Sequence, residues 1–325
     1  MLTRRTMMAG ASALGAIMIE APLKPLSAGG PKPTIAVNFE VPRGACDAHV
    51  HVVGDPTEFP MAADRDYTPT EATADSLRAA LKFLNVDRVV IVTSTNYGLD
   101  NSSTLASIKQ LGRDRARGVA LIDETTSPGT LDSYKAAGIT GVRLFFSDGE
   151  AFNAGAAREH LQWNINLAKQ RNWHLDISTP PDVIASLAAQ LATSPVPVAL
   201  DDFGWLAGGV GQPGFAAIIS LLKSGHIYVK LAEPYRVSRT GPDYPELAPV
   251  VRALVAANPE RILWGSGWPH VNSNPPPHRS KFDPTPNLPV DAGHLLNLFA
   301  AWVPDAATRR TILVDNPARL YGFGS

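Results

Sequence analysis

Cysteine is almost missing from this chain: Cys46 is the only one among 325 residues. No disulfide can form within the chain, which excludes a cross-linked scaffold. A charge excess is missing too. The 29 Lys and Arg balance 30 Asp and Glu, for a net charge of −1, so nothing points to a nucleic-acid partner. No apolar run is long enough to span a bilayer. No Gly-rich phosphate-binding turn follows the first predicted strand, which excludes a dinucleotide-binding fold. The partner left by these absences is a small molecule.

Hydrophobic residues make up 45% of the chain and charged residues 18%, ample material for a large core. The N-terminus reads separately from the rest. Arg4 and Arg5 precede a short apolar run from Met7 to Ile19, and small residues follow at Ser27-Ala28. This is the pattern of an export segment of the twin-arginine type over residues 1–28, implying a periplasmic location. A Pro-rich leader, residues 29–44, comes next.

From residue 45 to 325, β-branched or apolar runs alternate with amphipathic stretches. Strands are predicted at 45–53, 88–93, 117–122, 140–146, 173–178, 196–200, 226–231 and 261–265. Helices are predicted between them near 70–84, 101–112, 128–137, 155–171, 181–192, 213–223 and 246–257, with two more near 291–302 and 305–314. Eight β/α units in a row predict a single-domain (β/α)₈ TIM barrel, with its chemistry at the C-terminal ends of the strands. The stretch 271–290 contains Pro275, Pro276, Pro277, Pro284, Pro286 and Pro289. It is read as a loop without regular structure that overhangs the active-site face.

The densest chemistry lies in the first strand, Asp47-Ala48-His49-Val50-His51. Strand alternation puts Asp47, His49 and His51 on one face and points Cys46 away from it, as a packing residue. Two imidazoles side by side can bind a metal or polarise a carbonyl. Arg143 stands among Val142, Leu144, Phe145 and Phe146, where an unpaired charge is costly.

These residues resemble the amidohydrolase superfamily, and within it the metal-independent lactonases related to 2-pyrone-4,6-dicarboxylate lactonase. The resemblance runs from Val41 to Phe323. It rests on Asp47-Ala48-His49-Val50-His51, Gly141-Val142-Arg143, Val229-Lys230-Leu231 with Tyr235-Arg236, Trp264-Gly265-Ser266-Gly267-Trp268-Pro269-His270, and Asp315-Asn316-Pro317-Ala318-Arg319-Leu320-Tyr321-Gly322. It implies that His49 and His51 polarise a lactone carbonyl. Ser94, Arg143 and Arg236 would hold a substrate carboxylate or hydroxyl. Read from position alone, Trp268 and Trp205 are candidate apolar walls of the pocket, and His270 is a substrate-side residue that could serve as an acid or base.

The chain also departs from that family. An aspartate that normally precedes Trp-Pro-His is Gly267 here, a histidine of the sixth strand is Asp202, and a fifth-strand ligand of the metal-dependent relatives is Ser178. Asp202 is therefore the expected general base, with Asp176 in reserve. No cofactor is favoured, although His49, His51 and Asp202 with one open position would satisfy zinc or another divalent metal.

The leading expectation is a hydrolase of a cyclic ester that carries a carboxylate. The alternatives are an isomerase or lyase in the same pocket, a zinc-dependent amidohydrolase or decarboxylase, and a non-catalytic small-molecule binding protein. A homo-oligomer is compatible with the sequence.

Overall fold

The computed structural model describes residues 29–146, 152–274 and 278–324. The expected export segment, residues 1–28, lies outside them. Eight parallel strands form one sheet in the order of the sequence. They are β1 (Cys46–Val50), β2 (Arg88–Val92), β3 (Ala116–Ala120), β4 (Ile139–Phe145), β5 (His174–Ser178), β6 (Val198–Leu200), β7 (Ile227–Leu231) and β8 (Ile262–Trp264). The sheet closes just beyond β8, where the Gly267 N–H donates to the His49 carbonyl at 2.9 Å and the His51 N–H donates to the Trp268 carbonyl at 2.7 Å. Helices follow the strands and form the outer layer. The architecture is the expected (β/α)₈ barrel.

The helices start where capping chemistry allows. Ser127, Asn153, Asp291 and Asp305 each accept a first-turn backbone N–H with their side chain, satisfying donors that the helix itself cannot. The expected helix over 305–314 breaks into Ala306–Arg310 followed by a wider π-helical turn, Thr311–Asp315. No helix among the described residues is long and apolar enough to cross a membrane. The Pro-rich stretch is less irregular than its composition suggests. Pro284–Thr285 pairs in parallel with Thr68–Pro69, while 275–277 lie outside the described residues.

The barrel interior is layered. At its N-terminal end, Cys46, Ala48, Val90, Val92, Val119, Ala199, Tyr228 and Leu263 pack with Tyr321 and Phe323 from the C-terminal segment. This overturns the expected orientation of β1. The β1–β2 register slips between Asp47 and Val50: Asp47 pairs with Val89, and Val50 with Ile91. Three residues of β1 therefore advance against two of β2, the signature of a β-bulge. Cys46 and Ala48 face the lumen before the slip, and His49 and His51 face it after. Asp47 is left on the other face, where its Oδ1 accepts the Ser266 N–H at 2.9 Å.

His174, at the start of β5, lies with its ring edge-on to Tyr321, the centroids 5.1 Å apart. The ring occupies the space that a side chain at Gly141 would need. A Gly141→Ala protein is expected to lose about 1–3 kcal/mol of stability through overpacking. Urea denaturation checks this, and an unchanged midpoint would remove the assigned role of this glycine.

Candidate active site

Above the apolar layer lies a layer of buried charge. Lys230 of β7 is wholly buried. Its Nζ pairs with Asp176 of β5 and stands 3.1 Å from Oδ1 of Asp201 at the end of β6. Asp201 also reaches His49 Nδ1 at 3.3 Å and Arg143 at 3.5 Å. Strand alternation delivers all of these to the lumen. Burial pushes both carboxyls upward, and the neighbouring charges divide them. Lys230, His49 and Arg143 outweigh burial at Asp201 and hold it well below the usual range. At Asp176, burial together with the nearby Asp201 charge wins over Lys230 and brings the group up to about 7. Lys230 is itself penalised by burial, but Asp176 and Asp201 more than compensate and keep it charged.

The two imidazoles sit on this layer, edge-on with centroids 5.1 Å apart. His51 Nδ1 lies 2.7 Å from the Val92 carbonyl. A carbonyl only accepts, so Nδ1 carries the proton and Nε2 presents a lone pair. His49 turns Nδ1 toward both Asp201 Oδ1, at 3.3 Å, and Lys230 Nζ, at 3.4 Å. Its buried Nε2 has no partner. Burial disfavours the imidazolium at both residues. It lowers His49 and, together with His49 and Arg143, brings His51 to about 3. Both rings are neutral at ordinary pH, and His51 offers the lone pair of its Nε2.

A third group meets them. Glu233, just past β7, is fully buried. One ligating atom from each of His49, His51 and Glu233 lies within 4.8 Å of the other two. Tyr235 donates to Glu233 Oε1 at 2.9 Å, and Arg236 pairs with Oε2. Burial pushes Glu233 upward, but Arg236, His49 and His51 together bring it down to about 2. Glu233 also fills the place left at Gly267. A Cβ there would lie 2.5 Å from the Tyr235 hydroxyl and 2.8 Å from Glu233 Oε1. Composition and alternation give no sign of Glu233. The available signal was an acidic residue three positions before Arg236, immediately after a barrel strand.

The donor set His49, His51 and Glu233 fits a divalent cation. Two neutral imidazoles and one ionised carboxylate make a His₂Glu set with room for further ligands. Asp201 against His49 and the Val92 carbonyl against His51 are the outer partners that orient ligating imidazoles. This set differs from the expected one in its carboxylate, which is Glu233 rather than Asp202.

The cavity beside this cluster opens at the C-terminal ends of the strands and has a volume of about 310 Å³. His51, Ser94, Arg143, Asp202 and Arg236 all border it, as do Trp205 and Ser178. Of the remaining predicted residues, His49 lies beneath it. Trp268 is buried and spends its indole N–H on the Pro31 carbonyl at 2.8 Å, holding the leader in place. His270 packs edge-on against Tyr235, the centroids 5.7 Å apart. Neither Trp268 nor His270 is among the described residues that border the cavity. Asp202 is pushed well above the usual carboxylate range by burial and by the nearby Glu233 and Asp201 charges. Cys46 is likewise raised, chiefly by burial, which suits a packing thiol.

The backbone is held in the left-handed region at three strand ends: Asp202 (φ 48°) after β6, Glu233 (φ 52°) after β7, and Gly267 (φ 71°) and His270 (φ 61°) after β8. Such conformations cost about 1–3 kcal/mol each for residues other than glycine and gather at functional sites. A wider groove of about 800 Å³ opens elsewhere, at the N-terminal ends of β1 and β2, lined by Arg43, Asp87, Arg88 and Asp114 among others. It contains no histidine and no buried carboxylate, so the chemistry belongs to the smaller cavity.

Known proteins share this chain's sequence pattern and architecture. The family model described as Amidohydrolase matches residues 46–323. The chain is 34% identical over 297 residues to 4-sulfomuconolactone hydrolase of Rhizobium radiobacter, covering 90% of this chain and 95% of that one. It is 31% identical over 294 residues to 2-pyrone-4,6-dicarboxylate hydrolase of Comamonas testosteroni, with 87% and 92% covered. An apo structure from Agrobacterium tumefaciens matches with a TM-score of 0.74 at 28% identity, covering 89% of this chain and 99% of that one. A probable 2-pyrone-4,6-dicarboxylic acid hydrolase from Acinetobacter baumannii, solved with citric acid bound, matches with a TM-score of 0.71 at 26% identity, with 86% and 100% covered. The chain belongs to the amidohydrolase family.

Proposed function

We propose that this protein hydrolyses a small lactone bearing one or more carboxylate or similar anionic groups. The observation that carries the reading is the convergence of Arg143, Arg236 and His51 on one cavity of about 310 Å³. That volume is at the small end for ligand sites and suits a single substituted ring. A guanidinium matches the fork of a carboxylate or sulfonate. The relatives named for lactone hydrolysis, and the citric acid held by the Acinetobacter baumannii protein, support an anionic substrate.

The reaction adds water across the ring ester. The acyl C–O bond breaks, the acyl carbon keeps the water oxygen, and the ring oxygen leaves with a proton. Arg143 and Ser94 orient the ring from one side of the cavity, and Arg236 holds an anionic substituent. Asp202 takes a different part from the expected base. A carboxyl that keeps its proton between two other acids is suited to protonating the departing ring oxygen. A divalent cation held by His49, His51 and Glu233 would polarise the carbonyl and lower the pKa of water. Asp201 and Lys230 keep the His49 ring in place from below.

Incubation with a panel of charged and uncharged lactones tests the proposal by mass spectrometry. Hydrolysis adds one water to the substrate mass, whereas isomerisation leaves it unchanged. Anionic lactones are expected to open. Arg143→Met should raise KM by at least about tenfold, since a charge-assisted hydrogen bond contributes about 1.5–3 kcal/mol. Equal turnover of uncharged analogues, or products of unchanged mass only, would count against the proposal.

A further inference from the structure

The space beside the Gly267 backbone is the most informative spot in the molecule. Glycine there leaves a gap between the ends of β7 and β8, and the carboxylate of Glu233 fills it from the neighbouring loop. A side chain at 267 and the present position of Glu233 are mutually exclusive, because the first atom of that side chain would overlap the Glu233 side chain and lie 2.5 Å from the Tyr235 hydroxyl. The local structure is committed to this arrangement. Glu233 adopts φ 52°, its two oxygens are engaged by Tyr235 and Arg236, and Tyr235 also donates to the Gly267 carbonyl at 3.0 Å. The third corner is the buried, unpartnered Nε2 of His49. A ring nitrogen without a partner in a dry site is costly unless something else engages it. Two imidazoles and a carboxylate whose ligating atoms converge within 4.8 Å in a buried site suit a divalent cation.

We propose that Glu233 and Gly267 form one coupled unit: the carboxylate that completes a divalent-cation site with His49 and His51 enters from the β7 loop, through volume that only glycine at 267 leaves free. The β8 end supplies the space and the β7 end supplies the ligand. Exchanging the two contributions should therefore restore the site from the opposite strand. The activity arm of the test rests on the proposed lactone hydrolysis, but the binding arm does not.

The experiment is cobalt(II) or zinc(II) titration of chelator-treated protein, followed by visible absorption for cobalt, by calorimetry and by the rise in melting temperature. Four variants accompany the wild type: Glu233→Ala, the near-isosteric Glu233→Gln, Gly267→Asp, and the double variant Glu233→Ala/Gly267→Asp. Aspartate is chosen because it tolerates a positive φ better than most residues. Wild type should bind one equivalent of metal. Glu233→Ala and Glu233→Gln should weaken binding by at least about 100-fold, the magnitude typical of losing a group that supports a metal site. Gly267→Asp should weaken it as well, because it displaces Glu233. The double variant should bind at least tenfold more tightly than Glu233→Ala, and circular dichroism should show every variant folded.

Wild type binding no metal, Glu233→Gln binding as tightly as wild type, or a double variant no tighter than Glu233→Ala would each overturn the proposal. If the protein bound no metal yet opened lactones at the full rate, the cation site would fall and the hydrolase reading would stand. If metal bound as expected but no lactone opened, the reverse would hold.

Discussion

A Lys230→Met protein is expected to lose about 3–5 kcal/mol of stability, the cost of removing one partner from a buried ionic cluster. Lys230 is fully buried and, among the described residues, is the only group that pairs with Asp176 and Asp201 together. Methionine matches the length of its stem, so the loss isolates the charge rather than the volume. Without the ammonium, Asp176, already raised to about 7, takes up a proton. Asp201 keeps only Arg143 and His49. The double variant Lys230→Met/Asp176→Asn should recover a good part of the loss, because it removes the more poorly served carboxyl as well. Urea denaturation at pH 7 of both variants measures this coupling. Equal destabilisation of the two would show that Asp176 and Lys230 do not act as a pair.

Acid should weaken the fold in two stages. His51 lies at about 3, His174 at about 3 and His270 at about 4, each lowered chiefly by burial from 6.5. As pH falls below 6.5 the unfolded chain protonates these rings and the folded chain does not, so stability falls. Asp47, at about 6, and Asp176, at about 7, work in the opposite sense. Raised chiefly by burial, they bind protons in the folded state while their unfolded counterparts, at 3.8, do not. Their contribution is complete below 3.8 and disappears as pH rises through 6 to 7.

Between about 6.5 and 4.5 the three imidazoles exceed the two carboxyls by about one proton, and the lowered His49 offsets the raised Asp202, for a slope of about 1.4 kcal/mol per pH unit. Below about 4 the unfolded carboxylates protonate and that compensation ends. Glu233, at about 2, and the strongly lowered Asp201 then join the imidazoles. Because His270 takes up its own proton near pH 4 and His51 and His174 theirs near pH 3, the difference reaches only about three protons, or roughly 4 kcal/mol per pH unit. Urea midpoints from pH 7 to pH 3.5 should show a shallow decline followed by a sharp break near pH 4. A straight decline across the whole range would contradict this account of the buried groups.

The outline of the fold was legible because periodicity reports it directly. Every predicted strand falls within a few residues of its observed bounds, and the helices from Ala74–Phe83 to Ala292–Trp302 lie where amphipathic spacing put them. The site was legible in part. His51, Ser94, Arg143, Asp202 and Arg236 were placed at strand ends by alternation and resemblance, and they border one cavity. Two features were hidden for physical reasons. The slip between Asp47 and Val50 inserts a residue that strict alternation has no means of showing, so Asp47 was assigned to the wrong face. Glu233 was hidden because a loop residue at φ 52° points where its backbone turns it, and no period in sequence encodes that turn. The space it occupies is announced only by the lack of a side chain at Gly267.

The sheet is joined end to end by two hydrogen bonds, from Gly267 to His49 and from His51 to Trp268. That seam runs directly beneath the imidazoles. A breathing motion that unzipped the first staves of the barrel from the last would part the chemistry down its middle before it disturbed the rest of the wall. Any guest bridging both banks works as a clasp, so occupancy and closure reinforce each other by linkage. The join between the first and last strands is thus also a place where binding adds to closure.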